Sequence, residues 1–509
     1  MTAARGSRLV ILNWRDRRHP AAGAAELYCE RVARELGARG RSVVLVTSRP
    51  AGTAARERLD GYEIRRLGSW WSVYPLALLW LLKHRSSVGS VIDSQNGIPF
   101  FSPLVTRRDV PVVLLVHHVH QDLFVRALRP LAARLAKWLE GPASRRVYRR
   151  RAVVALSPSA RAQVRRRLRF DGAVTVVPGG ADRLDVRPAR SATPRVVVVG
   201  RLTPLKRLER LIDGMAEVQA QQPDAELHLV GDGPARGSLE LRARAAGARV
   251  VFHGRLPDGA RDAVLSTAWL TVSASDGGDW ALSLIEANAA GVPALARRVH
   301  GMTDAVRHGR TGWLVDGSAE ELSASMARAL AVLTDPAVAS AMAERARAWA
   351  ARFTWARTAD GLLKALDLEE ARLQRRMHGE RERRTGNDLV VVLSLPESAV
   401  QDTGQFSRRA GDVWVSDGVT VRGLLAGADE GDVPAILRRL DVDENDPAVS
   451  VLVARHADLL GQWSGPEDVV DLAEAVGRPV EVRGVDEQGT DGGGSDKRGP
   501  DEREEQHAA

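Results

Sequence analysis

A glycine and two cations stand where an apolar strand gives way to a helix. The segment Gly200-Arg201-Leu202-Thr203-Pro204-Leu205-Lys206-Arg207-Leu208 follows Val196 to Val199 and precedes the amphipathic stretch Glu209 to Gln221. In an open α/β sheet, ligands bind beyond the carboxyl ends of the strands, and a helix start favours anions. Arg201 offers a planar fork of donors and Lys206 a point charge, so the pair suits a diphosphate. Two solvated basic residues in a loop are the plainer alternative. A second cluster, His117-His118-Val119-His120, closes the apolar run Val112 to Val116. A histidine there can orient a hydroxyl or steady developing charge. His117, the first residue past the run, is the first candidate and His120 the second. Near the start, the small residues around Gly23 and Ala24 let backbone amides approach an anion. Cys29 is the one cysteine, so neither an intrachain disulfide nor a cysteine metal cluster is expected.

These residues need a scaffold, and the hydrophobic pattern supplies one. Short apolar runs at Leu9 to Leu12, Val43 to Thr47, Val112 to Val116, Ala152 to Leu156 and Val174 to Val177 alternate with helical segments such as Ala24 to Arg39, the signature of βαβ units. The pattern pauses in a Pro/Arg/Ser stretch, Arg187 to Pro194. It resumes with strands expected at Val196 to Val199, Leu227 to Val230, Val250 to Phe252, Leu270 to Val272 and Pro293 to Leu295. Long helices, Glu320 to Leu333, Pro336 to Arg352 and Trp355 to Arg376, finish that part. The expected domains are therefore 1–186 and 187–376, both Rossmann-like. A polar linker at 377–388, a small α/β module at 389–485 with a Val413 to Val421 hairpin turning at Asp417-Gly418, and a disordered acidic tail at 486–509 follow.

At 509 residues with 44% hydrophobic and 27% charged residues, the chain reads as a multidomain globular protein. The opening apolar run is too short for a secretory signal, and Trp70 to Leu82, broken by Pro75, is too short to span a bilayer. The expected location is cytoplasmic. From Arg126 to Arg169 the chain is densely basic, with Glu140 as its one acid. That face could meet anionic lipid at the inner side of a membrane. An ordinary solvated helix face explains it as well, and nucleic acid is not expected, since no binding motif interleaves the charges.

Several of these segments, in this order, resemble the retaining family-4 glycosyltransferases of the GT-B fold, over about Arg8 to Arg376. In that family the Gly-Arg-Leu-x-Pro-x-Lys segment binds the diphosphate of a nucleotide sugar. The stretch from His19 to Glu26 resembles the glycine-rich loop closing over the donor phosphates, which implies donor contacts from Gly23 and Ala24. His117-His118-Val119-His120 resembles the segment lining the acceptor side. Val176 to Asp182 resembles the turn joining the two domains. Gly231, Asp232, Arg255 and Leu256 fall where relatives hold the nucleotide base, and Leu282 lies in the donor-binding stretch. Glu286 resembles the second acid of a Glu, seven residues, Glu signature, whose carboxylate accepts from ribose hydroxyls. Residue 278, where the first acid belongs, is Gly; Asp276 or Asp279 is expected to swing a carboxylate into the gap.

The resemblance implies transfer of a hexosyl residue from a UDP- or GDP-linked sugar to an acceptor hydroxyl, with retention of configuration, no metal and no cofactor. The acceptor would be a glycan or a lipid-linked sugar. A sugar-nucleotide epimerase and a catalytically impaired binding or regulatory relative are the alternatives.

Overall fold

The computed structural model describes residues 7–377, apart from 171, 173, 183–189, 279 and 318, and parts of 389–455. Two compact units divide the chain, Met1–His456 and Ala457–Ala509. The second unit, and with it the end of the expected 389–485 module and the 486–509 tail, lies outside the described residues.

In the first lobe, β1 (Arg8–Leu12), β2 (Ser42–Thr47), β3 (Arg56–Leu59), β4 (Tyr62–Arg66), β5 (Val88–Asn96), β6 (Val112–His118), β7 (Ala152–Ala155) and β8 (Val174–Val176) form one sheet in the order β3-β4-β2-β1-β5-β6-β7-β8. Every neighbouring pair is parallel except β3 with β4. Alternate residues face opposite layers, so a strand apolar at every position fits a sheet covered on both sides. Leu9, Ile11, Leu45, Val113 and Leu115 pack with Tyr28, Cys29 and Leu36 of the Ala24–Ala38 helix. Val10, Leu12, Val44 and Leu114 pack on the other face with Ala77 and Leu81 of the Val73–Lys83 helix. The apolar stretch Trp70 to Leu82 is thus only half buried: Val73, Ala77 and Leu81 point inward, whereas Trp70, Trp71 and Leu79 are exposed.

The second lobe carries β9 (Arg195–Val199), β10 (Glu226–Val230), β11 (Val250–Gly254), β12 (Thr271–Ser273), β13 (Ala294–Arg297) and β14 (Gly312–Val315). The trios β11-β10-β9 and β12-β13-β14 are joined by a parallel bridge from Val196 to Leu270, giving a continuous parallel surface. The Trp355–Met377 helix, expected to finish this domain, instead returns to the first lobe. Trp355, Leu362 and Leu366 enter the first lobe's core, and buried Glu369 accepts a hydrogen bond from the Ala152 amide at 2.9 Å. The two chain crossings between lobes touch: the Ala181 amide donates to the Phe353 carbonyl at 3.0 Å, and the Thr358 hydroxyl to Pro178 O at 2.8 Å.

Beyond the lobes, β15 (Leu389–Pro396), β16 (Val413–Ser416), β17 (Thr420–Ala426) and β18 (Ser450–Arg455) form an antiparallel sheet in the order β16-β17-β15-β18. β16 and β17 pair as the expected hairpin, with Ser416 opposite Val421; Asp417 and Gly418 lie outside the described residues.

One buried charge cluster fixes the long loop after β1. Arg66, at the end of β4, bonds Asp16 through its Nε, and its Nη1 lies 2.7 Å from Glu57; the Asp16 and Arg66 side chains are fully buried. Removing one partner of such a pair strands the other charge in a medium that solvates it poorly. Asp16→Ala should therefore lower the unfolding free energy by about 3 kcal/mol, read as a shifted urea midpoint, with a smaller loss for Glu57→Ala, whose carboxylate is nearer solvent.

Candidate active site

The carboxyl ends of β9 to β12 and the loop after β1 face one another across a cavity of about 400 Å³. Gly23 and Ala24 line it from the first lobe. Arg201, Lys206, Gly231, Asp232, Arg255, Leu256, Leu282 and Glu286 line it from the second. All ten positions expected to contact a donor thus share a single cavity.

The loop after β9 is shaped to project its cations. Pro204–Lys206 forms a 3-10 turn, Arg207 adopts a left-handed conformation (φ 51°), and only then does the Leu208–Gln221 helix begin. The helix amides are set back by that turn, and Lys206 occupies the forward position. No hydrogen bond or ion pair to the Lys206 ammonium occurs among the described residues, and its burial pushes its pKa below the ordinary lysine value. Arg201 reaches across the cleft, its Nη1 donating to Ala21 O at 3.2 Å. Burial lowers its pKa too, and the positive charges of Arg15 and Arg255 add to that. Arg255 leans on the same loop, 3.4 Å from Pro20 O. An anion in the cavity would meet cations whose solvation is already reduced. The strands carrying them come close enough that Gly231 (φ 142°) admits no side chain: a Cβ there would stand 1.9 Å from Gly200 O.

Gly23 departs from its expected part. Its amide is spent on Glu26, donating to Oε2 at 2.6 Å, so it is not open to an anion. The open donors lie one step on: the amides of Ala24 and Ala25 precede the first intrahelical bond, from Leu27 N–H to Gly23 O. Glu26 was not singled out from the sequence, although an acid three residues past a small cap is a capping-box signal. Its other oxygen accepts from Arg15 Nε at 2.9 Å, and the side chain is buried.

The histidines stand apart from the cavity wall. His117 is buried beside Tyr28, whose ring meets it edge-on at 5.3 Å, with Nε2 3.7 Å from Cys29 Sγ. Its Nδ1 is buried without a hydrogen-bond partner among the described residues. Burial pushes its pKa down to about 3, so the ring is neutral, and His120 contributes in the same direction. His120 has its Nδ1 3.0 Å from His118 O and stacks on Phe124. Its amide donates to Glu140 Oε1 at 2.6 Å, while Gln121 Nε2 donates to Glu140 Oε2 at 2.6 Å. The lone acid of the basic run is thus the anchor of the histidine loop. It sits in a π-helical turn, Leu139–Ala143, containing Pro142.

The gap at Gly278 stays unfilled by Asp276. Asp276 turns to three arginines, accepting from Arg207 Nε at 2.7 Å, Arg210 Nη1 at 3.1 Å and Arg297 Nη1 at 2.6 Å, and it does not line the cavity. These bonds hold its carboxyl below the usual range and clamp left-handed Arg207. Asp279 lies outside the described residues. Gly277 and Gly278 both line the cavity, and a Cβ on Gly278 would meet only Met302 Cε at 3.5 Å. Trp280, fixed by its Nε1 donating to Gly179 O at 3.0 Å, forms the neighbouring wall. Glu286, half-buried on the Leu282–Ala289 helix, is one of the acids lining the cavity. Burial raises its pKa to about 7 despite Arg261, with Asp182, Asp262 and Asp258 adding to the rise.

Two parallel-sheet lobes closing on a cationic cleft define a GT-B fold. Solved structures agree: sucrose-phosphate synthase from Thermosynechococcus elongatus superposes with a TM-score of 0.59 at 20% identity, covering 74% of this chain and 100% of that one. Anabaena HepE in complex with UDP and glucose gives 0.53 at 18%, covering 71% and 100%. Residues 25–183 match the model of Glycosyltransferase Family 4 and residues 185–349 that of Glycosyl transferases group 1. The two matches together span most of both lobes, the first of them with the family 4 glycosyltransferase model. A D-inositol 3-phosphate glycosyltransferase of Rhodococcus jostii is 34% identical over 38% of this chain, and the chain spans only about half of that relative, 46%. A GDP-mannose-dependent alpha-(1-6)-phosphatidylinositol monomannoside mannosyltransferase of Mycolicibacterium smegmatis is 29% identical over 64% of this chain and 82% of its own length.

His117 supplies a direct check on the enclosed geometry. Its ring resonances should not titrate between about pH 5 and 8 in two-dimensional NMR, because its folded pKa of about 3 lies below that window. A group whose folded pKa is depressed from 6.5 leaves the unfolded state holding more protons at acid pH, so stability should fall as pH drops below about 6.5. His117→Phe should remove that part of the slope.

Proposed function

We propose that this protein is a retaining glycosyltransferase that moves a hexosyl residue from a UDP- or GDP-linked sugar to an acceptor hydroxyl, needing neither metal nor cofactor. The observation that carries this reading is that one cavity holds both Arg201 and Lys206, whose ammonium has no partner among the described residues. As the anomeric carbon–phosphate oxygen bond breaks, negative charge grows on the departing diphosphate. Cations fixed in place before the reaction stabilise that charge without having to reorganise. The acceptor oxygen bonds to the anomeric carbon on the same face, and its proton passes to the leaving phosphate oxygen, so no second carboxylate is required. The mannosyltransferase named above acts on a phosphatidylinositol mannoside, which favours a lipid-linked acceptor here as well.

Turnover of a panel of sugar nucleotides by the purified protein tests the reading. Lys206→Ala should lower kcat by about a hundredfold, and Arg201→Ala should weaken donor binding. Calorimetry showing no heat with any UDP- or GDP-sugar would dismiss it. A second reading, a donor-binding relative without transfer, is favoured by one feature: Gly278 presents no carboxylate and Asp276 is engaged elsewhere. Donor binding without turnover in the presence of lipid and glycan extracts would select it.

Glu286 makes a further prediction. Ribose hydroxyls donate to a carboxylate but gain less from a protonated acid. With its pKa near 7, donor affinity should rise between about pH 6 and 8. Glu286→Gln should bind more weakly and with a flat profile, measured by calorimetry across that range.

A further inference from the structure

Five of the large apolar side chains that remain exposed fall within fourteen residues, Val125, Leu128, Leu131, Leu135 and Trp138. On the Pro130–Trp138 helix the arrangement is inverted relative to an ordinary surface helix. Ala133 and Ala136 face the protein, while Leu131, Leu135 and Trp138, spaced i, i+4, i+7, face outward at 78%, 57% and 54% exposure. Arg134 belongs to the same outward stripe by its spacing, Arg129 caps the helix start, and Lys137 is in its last turn.

The helix is not exposed because it is loose. Gln121 Nε2 donates to Glu140, whose π turn continues the helix, and Asp122 receives both terminal nitrogens of Arg167, at 2.7 and 2.5 Å. The rest of the basic run is not one face: Arg161 is buried, and Arg151 pairs with Glu369 at 3.3 Å. From Val125 to Trp138 the chain has no acid. An apolar ridge rimmed only by cations complements an anionic bilayer, where leucines and tryptophan enter the headgroup–acyl boundary and guanidinium and ammonium groups meet phosphates. A protein partner would need a matching acidic apolar groove, and nothing here calls for one. The ridge also follows directly on His117 to His120 at the carboxyl end of β6, the sheet edge that carries the loop after β1.

We infer that the Pro130–Trp138 helix is a membrane-seating element, with Leu131, Leu135 and Trp138 inserted into the interface of an anionic bilayer and Arg129, Arg134 and Lys137 on its phosphates. The purpose of such a seat, access to lipid-linked acceptors, rests on the function proposed above; the docking itself does not.

The test uses the full chain sedimented with vesicles of phosphatidylcholine, with and without phosphatidylglycerol. Wild type should partition to the anionic vesicles and weaken as salt rises. The combined Leu131→Ser, Leu135→Ser, Trp138→Ser variant should lose at least about tenfold in partitioning, with unchanged circular dichroism and unchanged calorimetric donor affinity without vesicles. Leu131→Glu alone, at the most exposed position, should reproduce much of the loss if the triple variant folds poorly. Arg129→Gln with Arg134→Gln should bind weakly and with less salt dependence. Wild-type partitioning in the triple variant, equal binding to neutral vesicles, or loss only with Trp70→Ser and Trp71→Ser would overturn the inference. So would wild type that ignores vesicles and instead self-associates through this ridge, judged by sedimentation of the same variants. Donor binding lost while vesicle binding persists would count against the proposed function and leave the seat standing.

Discussion

Positive charge held partly out of water, facing an opening and lacking an answering acid, is the condition on which the rest of this molecule is arranged. Lys206 is the clearest case, with burial lowering its pKa and no partner among the described residues. Leaving a cation in that state is costly in a folded protein, and the surroundings explain why it persists. The 3-10 turn and left-handed Arg207 hold it forward, Asp276 holds Arg207 while also accepting from Arg210 and Arg297, and close backbone packing at Gly200 and Gly231 brings β9 and β10 to the same edge.

Carboxylates in this protein act mainly as internal braces. Glu26 ties the Gly23 amide and Arg15, Glu140 ties the histidine loop, Asp276 ties the loop bearing Lys206, and Asp93 closes the turn after β5 by accepting from the Phe100 and Ser102 amides at 2.9 Å each. Each brace fixes a loop or turn to a neighbouring element, and those of Glu26 and Asp276 hold segments that line the cleft. Buried acids satisfied by several donors specify one loop conformation more sharply than apolar contacts do, and this precision suits a cleft whose two walls belong to different lobes.

How much of this was readable from the chain follows the same division. Strands made of uninterrupted valine and leucine, such as β1, β2, β6 and β9, announce themselves, because burial on both faces demands apolar side chains at every position. β5 escapes that reading: Asp93, Ser94 and Gln95 are buried in it yet polar, since they serve loops and not the core. β3, at the edge of the sheet, and its neighbour β4 mix charged residues with apolar ones and give little apolar signal. The residues lining the inter-lobe cavity were legible because glycines and cations at strand ends have few other uses. The braces were not, since a glutamate on a helix resembles any solvated glutamate until its burial is known. Asp276 illustrates the limit: its position beside Gly278 suggested a substitute acid, and only the three surrounding arginines reveal a different engagement. The ownership of the Trp355–Met377 helix was likewise invisible, because sequence order carries no record of which lobe a final helix packs against.

That helix has a mechanical corollary. The chain passes between lobes twice, near Gly180 and near Thr354, and the passages lie so close that a Cβ on Gly180 would stand 2.2 Å from the Trp355 nitrogen. Two adjoining crossings, stitched by Ala181 to Phe353, constrain relative motion as a pair of pins constrains a door. Twisting and sliding would shear the stitch, whereas swinging about the line through both crossings leaves it intact. Any swing of one lobe against the other must therefore pivot close to these two crossings, and the residues farthest from them would travel furthest.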